Sequence, residues 1–200
     1  RVTDLGDVAL IPGLVNAHTH LEFSDLAAPL GTPGIAFSAW IGQVVERRRQ
    51  ALANSTPAEL RQARVAAIRQ GLHESRGAGV VALGEIATAP WDEQPYVAAP
   101  ADSLDVTAFL ESLGLAAARQ ESLAAAAQEH VARNMDSQRM AGVRLGLSPH
   151  APYTVRPELV ARLAAISRER QAPLAMHLAE SFEEIELLAS HCGGLVEQLS

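Results

Sequence analysis

The sequence contains no lysine, since all sixteen basic residues among its 200 are arginine. This absence excludes a Schiff-base lysine, a P-loop lysine and a metal bridge built on a carboxylated lysine. The single cysteine excludes an internal disulfide and any metal site that needs several cysteines. No apolar run reaches the roughly 18 residues that a bilayer span requires, so we expect no membrane-embedded part.

Positive charge is scarce as well, with 16 basic against 23 acidic residues and a net charge of -7. Nucleic acids and anionic membrane surfaces reward clustered positive charge, so we expect neither as the main partner, which leaves a small-molecule substrate open. The first residues hold no signal-peptide hydrophobic region, and we expect a cytoplasmic protein. The sequence leaves a homo-oligomer open. Because the chain begins with Arg1 and not Met, we expect it to be a piece of a longer protein.

Short apolar runs alternate with longer amphipathic stretches along the chain. Five runs are interpreted as buried strands because each is short, rich in Val, Leu or Ile, and bounded by Gly, Pro or polar residues. They cover residues 8–15, 80–83, 106–110, 143–147 and 174–176. Strands that alternate with helices in units of roughly thirty residues predict βαβ units and a parallel sheet.

The stretches between the strands predict helices with recognisable starts. Helices are expected over residues 35–50, 57–76 and 115–131, and others after Pro157 and Ser181. Thr56 with Glu59, and Ser181 with Glu184, have the spacing of capping boxes. Five strands fit a doubly wound sheet, and they also fit part of a (β/α)8 barrel, which needs eight strands and about 250 residues.

The first segment with chemistry is the run at residues 12–20, PGLVNAHTH. Alternate side chains of a strand share a face, so Asn16, His18 and His20 are predicted to project together. Two imidazoles near a strand end can reach one divalent metal at about 2.0–2.1 Å. Two such histidines are often only polar surface, but their place at the end of a buried strand favours metal ligation.

Two further histidines follow apolar strands. His177 ends the fifth run, and Glu180 comes three residues later, so the strand must end there and the chain must turn to bring the carboxylate back. A carboxylate beside a ligating histidine suits metal-assisted hydrolysis, in which the metal lowers the pKa of water and the carboxylate moves the proton. Alternatively, Glu180 is only a first-turn residue of the following helix, where the helix dipole favours a carboxylate. His150 lies on a proline-bracketed loop after the fourth strand, where a barrel places its active site, although it could also cap a turn.

Together these segments resemble the metal-dependent amidohydrolase superfamily. The resemblance lies in PGLVNAHTHLEFS at residues 12–24, LSPHAPYTV at 147–155 and MHLAES at 176–181, and it covers essentially the whole chain. The segments are most similar to the chlorohydrolase and deaminase-like group, which includes guanine and cytosine deaminases, triazine hydrolases, and deaminases of S-adenosylhomocysteine, methylthioadenosine and aminodeoxyfutalosine. The resemblance implies an α/β fold, with about the first five β/α units of a (β/α)8 TIM-type barrel present.

Carried over by position, the resemblance makes His18, His20 and His177 the ligands of one divalent metal ion, Zn²⁺ or alternatively Fe²⁺. It makes Glu180 the catalytic proton shuttle and His150 a substrate-binding residue. Binuclear relatives bridge two metals with a carboxylated lysine, so a chain without lysine resembles the single-metal branch. The implied activity is hydrolysis of non-peptide C–N bonds, foremost deamination of a purine-, pyrimidine- or triazine-like heterocycle.

The chain departs from that branch in two places, because the branch also uses a histidine from strand six and an aspartate from strand eight. His191 is not taken as the former, since it comes at the end of a capped helix. Residues 1–10 are interpreted as the end of an N-terminal β-sandwich and residues 11–200 as a partial hydrolase barrel. The alternatives are a chlorohydrolase, a cyclic amide hydrolase, and an inactive fragment or binding module; we expect the 200 residues alone to be inactive and poorly soluble.

Several other residues carry weaker expectations. Three glutamates near strand ends, Glu22, Glu85 and Glu111, could face the site and contact substrate. Two tryptophans, Trp40 and Trp91, could stack on a planar ring but more often serve packing. His73 and His130 fall within helices and are expected on the surface, and Cys192 is expected to be an inert thiol.

Overall fold

The computed structural model describes residues 2–96, 104–133 and 142–199. Its centre is one parallel sheet, and the strands lie side by side in chain order. They are β1 (Leu14–Thr19), β2 (Val80–Ala87), β3 (Asp105–Ser112) and β4 (Val143–Pro149). Neighbouring parallel strands require crossover connections, so the predicted α/β class is confirmed.

Helices carry the chain between the strands. They are α1 (Phe37–Asn54), α2 (Pro57–Gly77), α3 (Gln120–Ala132), α4 (Pro157–Arg170), α5 (Phe182–Ser190) and α6 (Gly194–Leu199). Single 3₁₀ turns lie at Leu21–Phe23, Gln94–Tyr96 and Ala117–Arg119. Within the described residues, no helix combines the length and apolar character that crossing a membrane requires.

Local capping chemistry sets the helix starts. At α2 the Thr56 hydroxyl accepts from the Glu59 backbone N–H, and the Glu59 carboxylate accepts from the Thr56 N–H, which is the complete capping box that was predicted. At α5 the Ser181 hydroxyl accepts from the Glu184 N–H. The predicted return hydrogen bond, from the Ser181 N–H to the Glu184 carboxylate, is wrong. That carboxylate accepts from the Glu180 N–H instead.

The predicted first strand at residues 8–15 is wrong in its bounds. The strand begins at Leu14, which pairs with Val80, the first residue of β2. Residues 8–13 are exposed and extend past the start of β2, so they have no neighbouring strand in the sheet to hydrogen-bond. β1 instead continues to Thr19, so His18 lies inside the strand.

The predicted fifth strand at residues 174–176 is replaced by a single bridge between Leu147 and Leu174. Three hydrogen bonds still hold this segment parallel to β4: Leu147 N–H to Pro173 O at 2.9 Å, Ala175 N–H to Leu147 O at 3.0 Å, and His177 N–H to the carbonyl of the residue after β4 at 2.9 Å. Pro173 has no N–H, and the described chain offers no further strand on the outer side. We call residues 173–177 the β4-edge segment.

The core lies between the sheet and its helices. Leu147 of β4 packs with Leu159 and Leu163 of α4 and Val131 of α3, all at most 2% exposed. The helix predicted over 115–131 begins later, at Gln120, after the turn Ala117–Arg119. Because the strands are parallel, their carboxyl ends meet at one edge of the sheet, and the histidines of the sequence motifs lie at that edge.

Candidate active site

Three histidines from two distant parts of the chain meet at the carboxyl edge of the sheet. The ring centroids of His18 and His20 are 5.3 Å apart, those of His18 and His177 4.6 Å, and those of His20 and His177 5.9 Å. One ring nitrogen from each histidine lies within 4.8 Å of the other two. The structure therefore brings together the three side chains that the sequence motifs single out.

The electrostatics of this cluster suit a metal. Burial lowers the pKa of His20 to about 4, and burial also lowers the pKa of His18, so both rings are neutral near pH 7. A neutral imidazole is the form that ligates a divalent ion. The Nδ1 atom of His20 is buried without a hydrogen-bond partner. A bound cation would satisfy that nitrogen, and the residues present therefore fit a divalent metal.

Asn16 does not join the cluster, although strand alternation predicts that it shares a face with His18 and His20. Its side-chain oxygen accepts a hydrogen bond from the His18 backbone N–H at 3.3 Å. This local contact ties the amide to its own strand instead of directing it toward the three rings.

The turn after His177 returns a carboxylate to the same ring. Ala179 adopts a left-handed backbone with φ 57, and the Glu184 carboxylate accepts from the Glu180 N–H at 2.8 Å, which fixes the turn. Oε1 of Glu180 lies 3.5 Å from Nδ1 of His177. Burial raises the pKa of the Glu180 carboxyl, a shift toward the range in which a carboxyl group exchanges protons near neutral pH.

His150 lies beside this cluster, on the loop that follows β4. Its ring centroid is 5.1 Å from that of His177, and its Nδ1 is 2.6 Å from the Thr154 hydroxyl. Burial lowers the pKa of His150. Thr154 was not identified from the sequence, although its place four residues after His150 in the same loop is a usable signal.

Of the three glutamates considered near strand ends, only Glu111 faces the histidines. Its Oε1 is 3.8 Å from Nε2 of His177 and 4.0 Å from Nε2 of His150. The interaction with Glu111 raises the pKa of His177. Glu85 accepts a hydrogen bond from the Leu21 N–H. Glu85 and Glu22 both line a separate cavity of about 500 Å³. The expectation that these two glutamates face the histidines is therefore not met.

The histidines open into a cavity of about 520 Å³, which we call the histidine cavity. A cavity of this size suits a small organic molecule. Its outer wall comes from α1 and the loop before it, and it is mainly apolar; the wall residues include Phe23, Leu26, Phe37, Trp40, Ile41 and Val44. Of the two tryptophans, Trp40 therefore lines this cavity, whereas Trp91 lines the other.

The remaining histidines lie elsewhere. His73 is exposed on α2, as expected. The surface expectation for His130 is wrong: it is 3% exposed, its Nε2 is 3.2 Å from the carbonyl oxygen of Ala108, and its ring meets Trp91 edge to face. His191 is the exposed residue that ends α5, with a left-handed φ of 56, and lies on no strand.

Comparison with known proteins shows consistent similarities. The chain is 26% identical over 184 residues to adenosine deaminase of Helicobacter pylori, which covers 92% of this chain and 41% of that protein. It is 31% identical over 186 residues to aminodeoxyfutalosine deaminase of Deinococcus radiodurans, covering 93% and 40%. The chain thus spans about 40% of the length of these curated relatives.

Solved structures give the same fold. The aminofutalosine deaminase of Helicobacter pylori superposes with a TM-score of 0.61 at 22% identity over 91% of this chain and 39% of that one. An adenosine deaminase of Xanthomonas campestris, solved with bound zinc, gives a TM-score of 0.54 at 17% identity over 94% and 41%. The predicted fold class, part of a TIM-type barrel, is confirmed. The amidohydrolase family pattern matches residues 9–198, and the chain belongs to the amidohydrolase family.

Proposed function

We propose that the intact protein is a metal-dependent hydrolase that deaminates a nitrogen heterocycle and releases ammonia. In this proposal His18, His20 and His177 hold one divalent ion, Zn²⁺ or alternatively Fe²⁺. The observation that carries it is the meeting of three ring nitrogens within 4.8 Å, beside a carboxylate that the turn at Ala179 returns to His177. Three imidazole ligands and one coordination position left open for water or substrate are typical of catalytic zinc sites.

The chain's own residues have distinct roles. A bound divalent metal would supply Lewis acidity and lower the pKa of a water molecule. Glu180 accepts a proton from the attacking water and delivers it to a ring nitrogen of the substrate while the water oxygen bonds to the amino-bearing carbon. The bond from that carbon to the amino nitrogen then breaks, and the second water proton leaves with the amino group as ammonia. The raised pKa of Glu180 suits a group that must both take up and give back a proton. His150, half-buried beside His177, orients the heterocycle.

The cavity and the relatives support the proposed substrate class. The relatives are named as deaminases of adenosine, aminodeoxyfutalosine and methylthioadenosine or S-adenosylhomocysteine. The apolar wall of the histidine cavity can cover a planar base and an apolar substituent. We therefore propose an adenine-type substrate in preference to chloride displacement or cyclic amide hydrolysis. We also propose that the reaction takes place in the cytoplasm.

The proposal is tested by measuring bound metal and ammonia release on the full-length protein, with adenine nucleosides, guanine, cytosine and triazines as substrates. His177→Ala should lose both the metal and the turnover, since it removes a ligand and the ring that faces Glu180. The control is His73→Ala, which replaces an exposed histidine on α2. Undiminished metal content and ammonia release in His177→Ala would refute the proposal.

A further inference from the structure

Two hydrogen-bond acceptors face each other on the sheet side of the histidine cavity. Glu111 lies near the end of β3 and His150 follows β4. Oε1 of Glu111 is 4.0 Å from Nε2 of His150. The Glu111 side chain is 7% exposed, and its Oε1 is buried without a hydrogen-bond partner. The proposed reaction gives this carboxylate no role.

The loop after β4 determines which nitrogen of His150 carries hydrogen. The Thr154 hydroxyl lies 3.2 Å from the Ala151 carbonyl oxygen, which can only accept, and so the hydroxyl donates to it. The same hydroxyl oxygen therefore accepts from Nδ1–H of His150 at 2.6 Å. In the neutral ring Nε2 is then left with a bare lone pair, and this lone pair is on the Glu111 side.

Charge balance makes this arrangement unfavourable without a cation. Nε2 of His177 lies 3.8 Å from the same Glu111 oxygen, which is beyond hydrogen-bond distance. Arg48, the arginine that lines the cavity, already pairs with Glu22 at 2.6 Å. A buried carboxylate without a counter-charge is costly. The carboxylate and the bare Nε2 both gain from a positive ion between them.

We propose that Glu111 and His150, with His177 at their edge, form a second divalent-cation position in the histidine cavity. One potential ligand atom from each of the three residues lies within 4.8 Å of the other two. Carboxylate oxygen and imidazole nitrogen are ligands that Zn²⁺ accepts. With His177 committed to the first ion, only two protein ligands remain, so the second ion binds more weakly than the first.

This position has a consequence for activity, which rests on the proposed function. In the proposed function His150 orients the substrate, so an ion bound to its Nε2 competes with the heterocycle for this side chain. Excess Zn²⁺ therefore inhibits the enzyme, and substrate relieves the inhibition. The second position is a regulatory or inhibitory cation site and takes no part in the reaction itself.

The test is a Zn²⁺ titration of the metal-free full-length protein, followed by equilibrium dialysis and elemental analysis. The wild type should bind two equivalents, the second at least about tenfold more weakly than the first. Glu111→Gln should weaken the second step by at least about tenfold and leave the first within about threefold. Thr154→Val, which frees the hydrogen of His150 to move to Nε2, should weaken the second step while Glu111 stays in place.

The matched control is Glu85→Gln, a buried glutamate of the neighbouring strand whose carboxylate faces the other cavity and should not alter either step. His18→Ala should remove the first step. A wild type that saturates at one equivalent, or a Glu111→Gln curve that superimposes on the wild-type curve, overturns the second position. If the first step persists in His18→Ala, the proposed function fails, while the second position is still judged by Glu111→Gln.

Discussion

Individual histidines illustrate what a residue's neighbours in sequence can and cannot determine. The meeting of His18, His20 and His177 was predictable because their motifs lie in or directly after apolar runs, which neighbours in sequence reveal. His130 was misplaced because its alanine-rich helix contains little that distinguishes a buried face. Its burial depends on the Ala108 carbonyl of β3 and on Trp91, contacts that join distant parts of the chain.

Two contacting residues escaped sequence reasoning for a similar reason. Glu184 was assigned to a capping box, but its carboxylate is fully buried and accepts from the Glu180 N–H. The Thr154 hydroxyl fixes the ring of His150. Each contact spans only four residues, yet it depends on a turn conformation that composition alone does not specify. Spacing along the sequence predicted which residues lie close together, and the turn conformations determined which of their atoms form hydrogen bonds.

Glu85 gives a pH prediction at the residue scale. Burial raises its pKa from 4.5 to about 8, although Oε2 accepts from the Leu21 N–H at 2.9 Å. The folded protein therefore keeps a proton that the unfolded chain releases above about pH 4.5. The stability that this proton provides is complete below that pH and is lost as the pH rises toward 8.

The variant Glu85→Gln removes the titration and keeps an oxygen that can accept from Leu21. Relative to this variant, the wild-type free energy of unfolding should fall by roughly 1 kcal/mol per pH unit across the window from about 5 to 8. Urea unfolding of both proteins at several pH values measures the difference. Parallel pH profiles would show that Glu85 is ionised in the folded protein.

At the scale of elements, helix starts were predictable and strand bounds were not. The capping box at Thr56 needs only residues three apart, and it formed as predicted. A strand continues only as far as its neighbour offers hydrogen bonds, so residues 8–13 stay outside the sheet and the β4-edge segment forms one bridge. Hydrophobicity located the runs that form β2, β3 and β4, whereas pairing between strands fixed where each strand ends.

Gly84 of β2 supports a prediction about how β1 is positioned. A Cβ at this residue would clash with the backbone carbonyl oxygen of Ala17, which lies between Asn16 and His18. Gly84→Ala should destabilise the protein by about 1–3 kcal/mol and lower its zinc content, because β1 must move together with His18. Thermal unfolding and elemental analysis measure the two effects.

The matched control is Gly77→Ala at the end of α2, where an added Cβ meets no atom within 4 Å. This substitution should leave the zinc content unchanged and should not destabilise the helix. If Gly84→Ala were as stable and as metal-rich as this control, β1 and β2 would not be packed as closely as the structure has them.

For the molecule as a whole, the edges of the sheet determine how readily chains associate. β1 forms one edge, and apolar side chains on and before it are exposed: Val8 at 61%, Leu10 at 82%, Ile11 at 73% and Val15 at 69%. Unpaired strand edges beside exposed apolar residues promote association. The family's fold was predictable from its motifs, but the number of strands was not, since the fifth apolar run forms only a single bridge to β4.

We therefore predict that the 200-residue chain alone is poorly soluble and does not release ammonia, while the longer protein does. Size-exclusion chromatography and the ammonia assay on both samples make the comparison. A 200-residue sample that is monomeric, melts sharply and turns over substrate would contradict this prediction.

The central claim is that His18, His20 and His177 bind one cation. X-ray absorption at the zinc edge of the zinc-loaded protein, at one equivalent, measures the imidazole ligands directly. The account predicts outer-shell scattering from three imidazoles with nitrogen distances of about 2.0–2.1 Å, and loss of this scattering in His177→Ala, which does not retain the metal. A wild-type spectrum without imidazole scattering, or one that His177→Ala leaves unchanged, would contradict it.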